Sequence, residues 1–352
     1  MKRRDCLTLP LGVAACLRQP PAAAQGAAAP LMGRGFHLGE VLGRTLDDYR
    51  AMAAAGATLV RLGFALESGA NPDGYRMVPQ AQAELTRQLG FAAATGLRIV
   101  LVLRPPPEPD AALWGRATLQ ESLEALWRAL ARQLAGRKEI AAFDLVNEPH
   151  PPGLTFGLKQ ARWESLALDL ARAVRAEDPA RKLVVEPSPG ARPMGFETLS
   201  PLPLDNVAYS VHMYEPFEMT HQRVEGMNLE AYVSYPGPAT PGGNSWNADK
   251  LRETLRAAKQ FGDRHAVEIY VGEFGVARWA PGDSRERYLS DLLSIFAEWG
   301  WSWTYHAWRE WHGWDAEMGP DARDSQRRGT QPAFDAIRSA LQQHRPATVS
   351  GR

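Results

Sequence analysis

Beyond position 16 the chain has no cysteine; its two, Cys6 and Cys16, lie near the N-terminus. No disulfide and no thiolate metal site is therefore available to the body of the protein. Neither charge is in surplus: 40 Lys and Arg face 40 Asp and Glu. That balance excludes a protein built to track a nucleic-acid backbone or to lie on an anionic membrane. Apart from the start, no run approaches the ~18 uncharged apolar residues of a spanning helix. The eight His are scattered, with no His-x-x-x-His pair, so no metal is expected. What the chain does have is an ordinary globular balance, 45% apolar and 23% charged, which argues against disorder. It also has eleven Trp, most of them in the second half. A core alone does not need so many, whereas a surface that stacks on flat ligands does.

The N-terminus reads as an export signal over 1–24. Lys2, Arg3 and Arg4 precede an apolar stretch from Cys6 to Leu17, and Ala22-Ala23-Ala24 offers a small-residue cleavage site. Alternatively, Val13-Ala14-Ala15-Cys16 resembles a lipoprotein box, which would end the signal before Cys16 and anchor the protein through that residue. Residues 25–32 read as a flexible linker, 33–345 as one catalytic domain and 346–352 as a tail. The expected location is exported, periplasmic or secreted, with membrane contact only if Cys16 is lipidated.

From residue 33 onward short apolar runs alternate with longer amphipathic stretches. Strands are expected at 35–38, 58–63, 98–103, 141–147, 182–186, 207–212, 268–273 and 301–308. Helical patterns cover 46–55, 83–94, 119–134, 163–176, 248–261, 285–299 and 331–343. The least marked elements are the first strand and a helix between strands five and six. Eight strands alternating with helices imply parallel strands joined by right-handed crossovers. No Gly-rich nucleotide turn follows the first strand, so an open doubly wound sheet fits less well than a single (β/α)8 TIM barrel. Two segments stand out as candidate groove walls. One is 215–247 after strand six, with Phe217, Tyr232, Tyr235 and Trp246. The other is 309–331 after strand eight, with Trp311 and Trp314.

Two expected strands end in Glu: Asn147-Glu148-Pro149 on strand four and Gly272-Glu273-Phe274 on strand seven. Strands four and seven lie across an eight-stranded barrel, so both carboxyls would face each other over its mouth. Glycoside hydrolysis uses this arrangement. One carboxylic acid protonates the leaving oxygen, and the other attacks the anomeric carbon when the two are about 5–5.5 Å apart.

In these segments the chain resembles glycoside hydrolase family 5, cellulase-like members of the clan of retaining barrel glycosidases. Four matches in order carry the resemblance over 33–343: Val60-Arg61-Leu62-Gly63-Phe64, Asp144-Leu145-Val146-Asn147-Glu148-Pro149-His150, Ser210-Val211-His212-Met213-Tyr214 and Val271-Gly272-Glu273-Phe274-Gly275. Thr220-His221-Gln222 recurs in bacterial members. The resemblance implies Glu148 as acid/base and Glu273 as nucleophile. Arg61 is then expected to hold Glu273 ionised, and Asn147 to donate to the sugar 2-hydroxyl. His212 and Tyr214 alternate on one strand and point the same way; Tyr214 could donate to Glu273, and His212 could bind sugar or tune the acid. His37, at the end of strand one, could reach a hydroxyl. The implied activity is a retaining endo-β-glycanase without cofactor, acting as a monomer on a β-linked polysaccharide or oligosaccharide, with β-1,4-glucan the first choice. A β-mannanase or β-1,3-glucanase/exo-glucosidase on the same barrel is the alternative, and a non-cleaving carbohydrate-binding pseudo-enzyme the reading from another class. Nucleic acid is not expected as a partner.

Two departures from the family pattern qualify the specificity. Where a platform Trp is expected at the end of strand eight, the alignment puts His306, so the platform falls to Trp308, on the same face, or to Trp303. After strand three, where many members carry a His pair, this chain has Leu103-Arg104-Pro105-Pro106-Pro107-Glu108.

Overall fold

The computed structural model describes residues 32–39, 43–68, 74–77, 79–106, 112–152 and 156–343, the last with backbone only at 156–158. The expected export signal with Cys6 and Cys16, most of the linker, Glu108 and the tail lie outside the described residues.

Eight parallel strands close into a barrel: β1 Arg34–Leu38, β2 Leu59–Ala65, β3 Arg98–Arg104, β4 Ile140–Asp144, β5 Lys182–Val185, β6 Val207–Met213, β7 Ile269–Phe274 and β8 Ser302–Tyr305. Each pairs with its sequence neighbours, and β1 with β8 closes the ring. The interior follows from the two-residue side-chain period. Leu59, Val100, Ala142, Val184, Ala208 and Tyr270 form one apolar layer with Met32 beneath them. Two residues further along the same strands, the inward positions become Arg61, Asp144, Glu186, Ser210 and Gly272, a polar layer resting on an apolar plug.

Around the barrel lie α1 Leu46–Ala55, α2 Pro79–Thr95, α3 Ala117–Leu134, α4 Phe156–Arg175, α5 Ala248–His265, α6 Ser284–Glu298 and α7 Pro332–Gln342. Their apolar residues recur every three or four positions, as in Leu119, Leu123, Trp127, Leu130 and Leu134 of α3, so one stripe packs on the strands. Thr45 and Asp48 cap α1 reciprocally, and Gly56 ends it at φ 108°, a conformation that favours glycine. Between β5 and β6 the expected α-helix is instead a single 3₁₀ turn, Pro193–Glu197. Pro187, Pro189, Pro201 and Pro203 crowd the segment and leave no stretch that could propagate a longer helix.

Candidate active site

The polar layer opens at the C-terminal mouth of the barrel, and Arg61 of β2 is its centre. Its guanidinium is fully buried and meets three carboxyl groups. Nη1 donates to Glu273 Oε1 at 2.7 Å, Nη2 to Glu186 Oε1 at 2.7 Å, and Nε to Asp144 Oδ2 at 3.0 Å. Nη2 also donates to Asn147 Oδ1 at 3.0 Å. Arginine suits this role because its planar fork satisfies several acceptors at once and keeps its charge when buried.

Glu273, at the end of β7, also accepts from the Tyr214 hydroxyl at 2.9 Å on Oε2. Burial alone would raise its carboxyl. The charges of His212 and Arg61 outweigh burial and hold it well below the usual carboxylate range. Burial also pushes the Tyr214 hydroxyl well up, with Glu273 beside it, so Tyr214 stays an O–H donor. That proton goes to Glu273, so the 2.7 Å contact between Tyr214 and His306 Nδ1 is made by an Nδ1–H donating to the phenol oxygen.

Glu148 sits just past β4 with φ 48°, a left-handed backbone that a side-chain-bearing residue adopts only under support. The support is its own N–H, which donates to Glu186 Oε2 at 2.5 Å. Its carboxyl is 42% exposed, against 9% for Glu273, and lies 2.8 Å from His212 Nδ1. The other ring nitrogen of His212 is 3.1 Å from Glu186. Burial would lower this imidazole, but Glu186, Glu273 and the bond to Glu148 raise it well above its ordinary value, so it is an imidazolium. His37 is the opposite case: burial depresses it, Arg61 adds to the effect, and the ring is neutral. Its Nδ1 faces Arg61 Nη1 at 3.4 Å and its Nε2 faces Glu273 Oε1 at 3.4 Å, which fits the Nε2–H tautomer.

An oxygen of Glu148 and an oxygen of Glu273 lie within 4.8 Å of each other, with His212 between them. The same limit holds for His37, Glu273 and His306. Glu273's oxygens are already engaged by the Arg61 cation and the Tyr214 hydroxyl, which opposes a second cation there.

The structure thus brings together Arg61, Asn147, Glu148, His212, Tyr214, Glu273 and His37. It does not bring Trp303 or Trp308. Trp303 is fully buried on the outer face of β8 against Phe274. Trp308 is also buried, packed on Phe36 and Phe334, with Nε1 donating to Asp48 at 3.2 Å. Alternation was extended to position 308, but β8 ends at Tyr305, and beyond it the chain turns and the two-residue period no longer applies. Tyr235 leaves the expected groove wall in the same way: it is buried against Tyr288, its hydroxyl donating to Asp291 at 2.6 Å. The indole that does reach the site is Trp314, 5.3 Å from the His306 ring and 5.7 Å from Tyr214.

Two buried carboxylates, Asp144 and Glu186, were given no role from sequence. Burial and the neighbouring Glu186 push Asp144 well up, whereas His212 and Arg61 hold Glu186 low against the effect of burial. Arg61 and His212 thus face Glu186 and Glu273 as buried cations against buried anions. Glu186 has a readable signal: it directly follows β5, two residues beyond inward-facing Val184.

Residues 24–312 match the family model of cellulase, glycosyl hydrolase family 5. The chain belongs to this family. It is 27% identical over 294 residues to Endoglucanase C of Acetivibrio thermocellus, covering 74% of this chain and 83% of that protein. In fold it is similar to a hyperthermophilic endo-beta-1,4-glucanase solved in complex with substrate, with TM-score 0.73 and 18% identity over 88% of this chain and 97% of that one. Thermotoga maritima Cel5A in complex with mannotriose superposes with TM-score 0.71 and 21% identity over 87% and 97% of the two chains. Both solved structures share this chain's fold.

Proposed function

We propose that the protein is a retaining endo-β-1,4-glucanase that hydrolyses its substrate by double displacement, with Glu273 as nucleophile and Glu148 as acid/base. The observation that carries this reading is the pair of carboxyls within 4.8 Å across the mouth, one clamped and anionic, the other exposed. A closest approach within 4.8 Å suits the retaining arrangement, whose carboxyls stand about 5–5.5 Å apart, better than the inverting one at about 6.5–9.5 Å. In the first step a Glu273 oxygen bonds to the anomeric carbon while Glu148 gives its proton to the departing glycosidic oxygen. In the second, Glu148 takes a proton from water, whose oxygen displaces Glu273. Arg61 and Tyr214 stabilise the carboxylate that leaves. Asn147, its Oδ1 tied to Arg61, is left with its NH₂ free to donate to the sugar 2-hydroxyl.

Endo action is supported by the clefts that extend the mouth. One of about 340 Å³, lined by Arg104, Pro106, Trp114, Glu148 and His150, borders the acid. Arg104 occupies the place expected for the missing His pair and donates to Gly39 O at 3.0 Å. Similarity to endoglucanases supports glucan as substrate. The mannotriose complex of a relative keeps β-mannan as the second reading. We further propose that the enzyme acts outside the cytoplasm, on the strength of the N-terminal sequence pattern.

The test is reducing-end release from soluble β-1,4-glucan, mixed-linkage glucan, mannan, xylan and β-1,3-glucan, with Glu273→Gln alongside. The expected result is preferential cutting of β-1,4-glucan and a loss of about 10⁴-fold or more in the variant. Equal activity in the variant would remove Glu273 from its role. No cutting of any polymer by the parent would favour a binding protein.

A further inference from the structure

Beyond the reacting pair, the loops after β6, β7 and β8 enclose a second cleft of about 650 Å³. Trp279 and Trp311 stand at its wall, ring centres 5.9 Å apart and nearly perpendicular, each partly exposed. Tyr232, 60% exposed, lies across from them with the Arg223 guanidinium 4.7 Å above its ring. Arg323 and Asp321, paired at 3.0 Å, complete the rim. Apolar rings beside charged groups of both signs match a sugar. Its axial C–H faces stack on indoles, and its vicinal hydroxyls both donate to carboxylates and accept from guanidinium.

The cleft is built rather than incidental. Two buried arginines that follow β7 staple the loop after β8. Arg278 donates to the carbonyls of Gly319, Asp321 at 2.7 Å and Ala322 at 3.0 Å. Arg285 donates to those of Asp315 and Met318, both at 3.0 Å. Trp279 is pinned by its own Nε1, which donates to Gln222 O at 2.6 Å. Two partly exposed rings, one pinned by its own hydrogen bond and the other on a stapled loop, are pre-organised for a ligand, which spares the ordering cost of binding. A run of packed rings links the wall of the cleft to the catalytic mouth. Tyr214, which holds Glu273, lies 5.7 Å from Trp314. Trp314 lies 4.8 Å from Trp311, and Trp311 leads to Trp279.

We propose that the Trp279–Trp311–Tyr232 cleft is a distal sugar subsite that holds a remote residue of the same glucan chain that spans the catalytic pair. The inference rests on the glycanase reading above. It makes the enzyme depend on chain length: long substrates gain from the cleft and short ones do not.

The test compares Trp279→Ala, Trp311→Ala and Tyr232→Ala with the parent on soluble β-1,4-glucan and on an aryl β-cellobioside too short to reach the cleft. Tyr232 makes little packing, so its variant keeps the test informative if a Trp variant loses its fold by thermal melt. The expected result is a fall of about tenfold in kcat/KM on polymer for each variant, with the aryl substrate unchanged. Unchanged polymer rates overturn the proposal, and so do equal losses on both substrates, which would mark the rings as supports of the catalytic centre. In parallel, cellohexaose is titrated into Glu273→Gln while tryptophan fluorescence is followed. A signal that is lost with Trp279→Ala supports the subsite even if the parent cuts no polymer. A signal indifferent to Trp279 and Trp311 contradicts it.

Discussion

Arg61 offsets two buried carboxylates, Glu186 and Glu273, which would otherwise face a single imidazolium. Removing one partner of a buried ion network leaves uncompensated charge, so Arg61→Met is expected to lower unfolding stability by about 3–5 kcal/mol, read from urea melts. It should also raise the acid limb of any residual activity, because Glu273 loses its nearest cation. Tyr214→Phe deletes a hydrogen bond to a charged group, expected to cost ~1.5–3 kcal/mol, or about 10- to 100-fold in kcat/KM, with the fold intact. A Tyr214→Phe enzyme as fast as the parent would show that Tyr214 does not support the nucleophile. His212 supplies the pH signature of stability. Its folded-state pKa is raised, so its stabilisation is complete below the unfolded imidazole value of about 6.5 and declines as pH rises through the folded value. The melting temperatures of the parent and His212→Gln should therefore differ most in acid and converge in alkali. A gap that widens with pH would contradict an imidazolium at this position.

At the scale of elements, the barrel was legible because its interior obeys a period of two. Leu59 and Arg61, Ala142 and Asp144, and Val184 and Glu186 are apolar–polar pairs whose second members form the site. The same period misled where no strand continued. Trp308 shares parity with His306 but lies past Tyr305, and parity cannot say whether an aromatic ring faces the mouth or, like Trp303, the helices. Asp144 lies within a matched motif and Glu186 at the end of an expected strand, but their roles depend on a guanidinium 83 and 125 residues away, which no local pattern reveals. The stapled loop after β8 was visible only as a length of chain with tryptophans; its rigidity comes from Arg278 and Arg285 on neighbouring elements. Arg278→Ala should therefore raise hydrogen exchange across residues 313–322 while leaving the amides of β7 and β8 protected. Unaltered exchange in that loop would mean the arginine does not hold it.

At the scale of the whole molecule, a closed barrel places two carboxyls from strands on opposite sides of the ring within one sugar's reach, above an apolar plug. That closed frame makes the separation of the pair a mechanistic statement rather than a snapshot. The most direct test follows the anomeric proton of the first-released reducing sugar by NMR while β-1,4-oligosaccharide is cleaved, before mutarotation mixes the anomers. The account predicts that the β-anomer appears first, from two successive inversions at the carbon attacked by Glu273. An α-anomer appearing first would mean that water attacks directly, and the assignment of Glu273 as a covalent nucleophile would be contradicted.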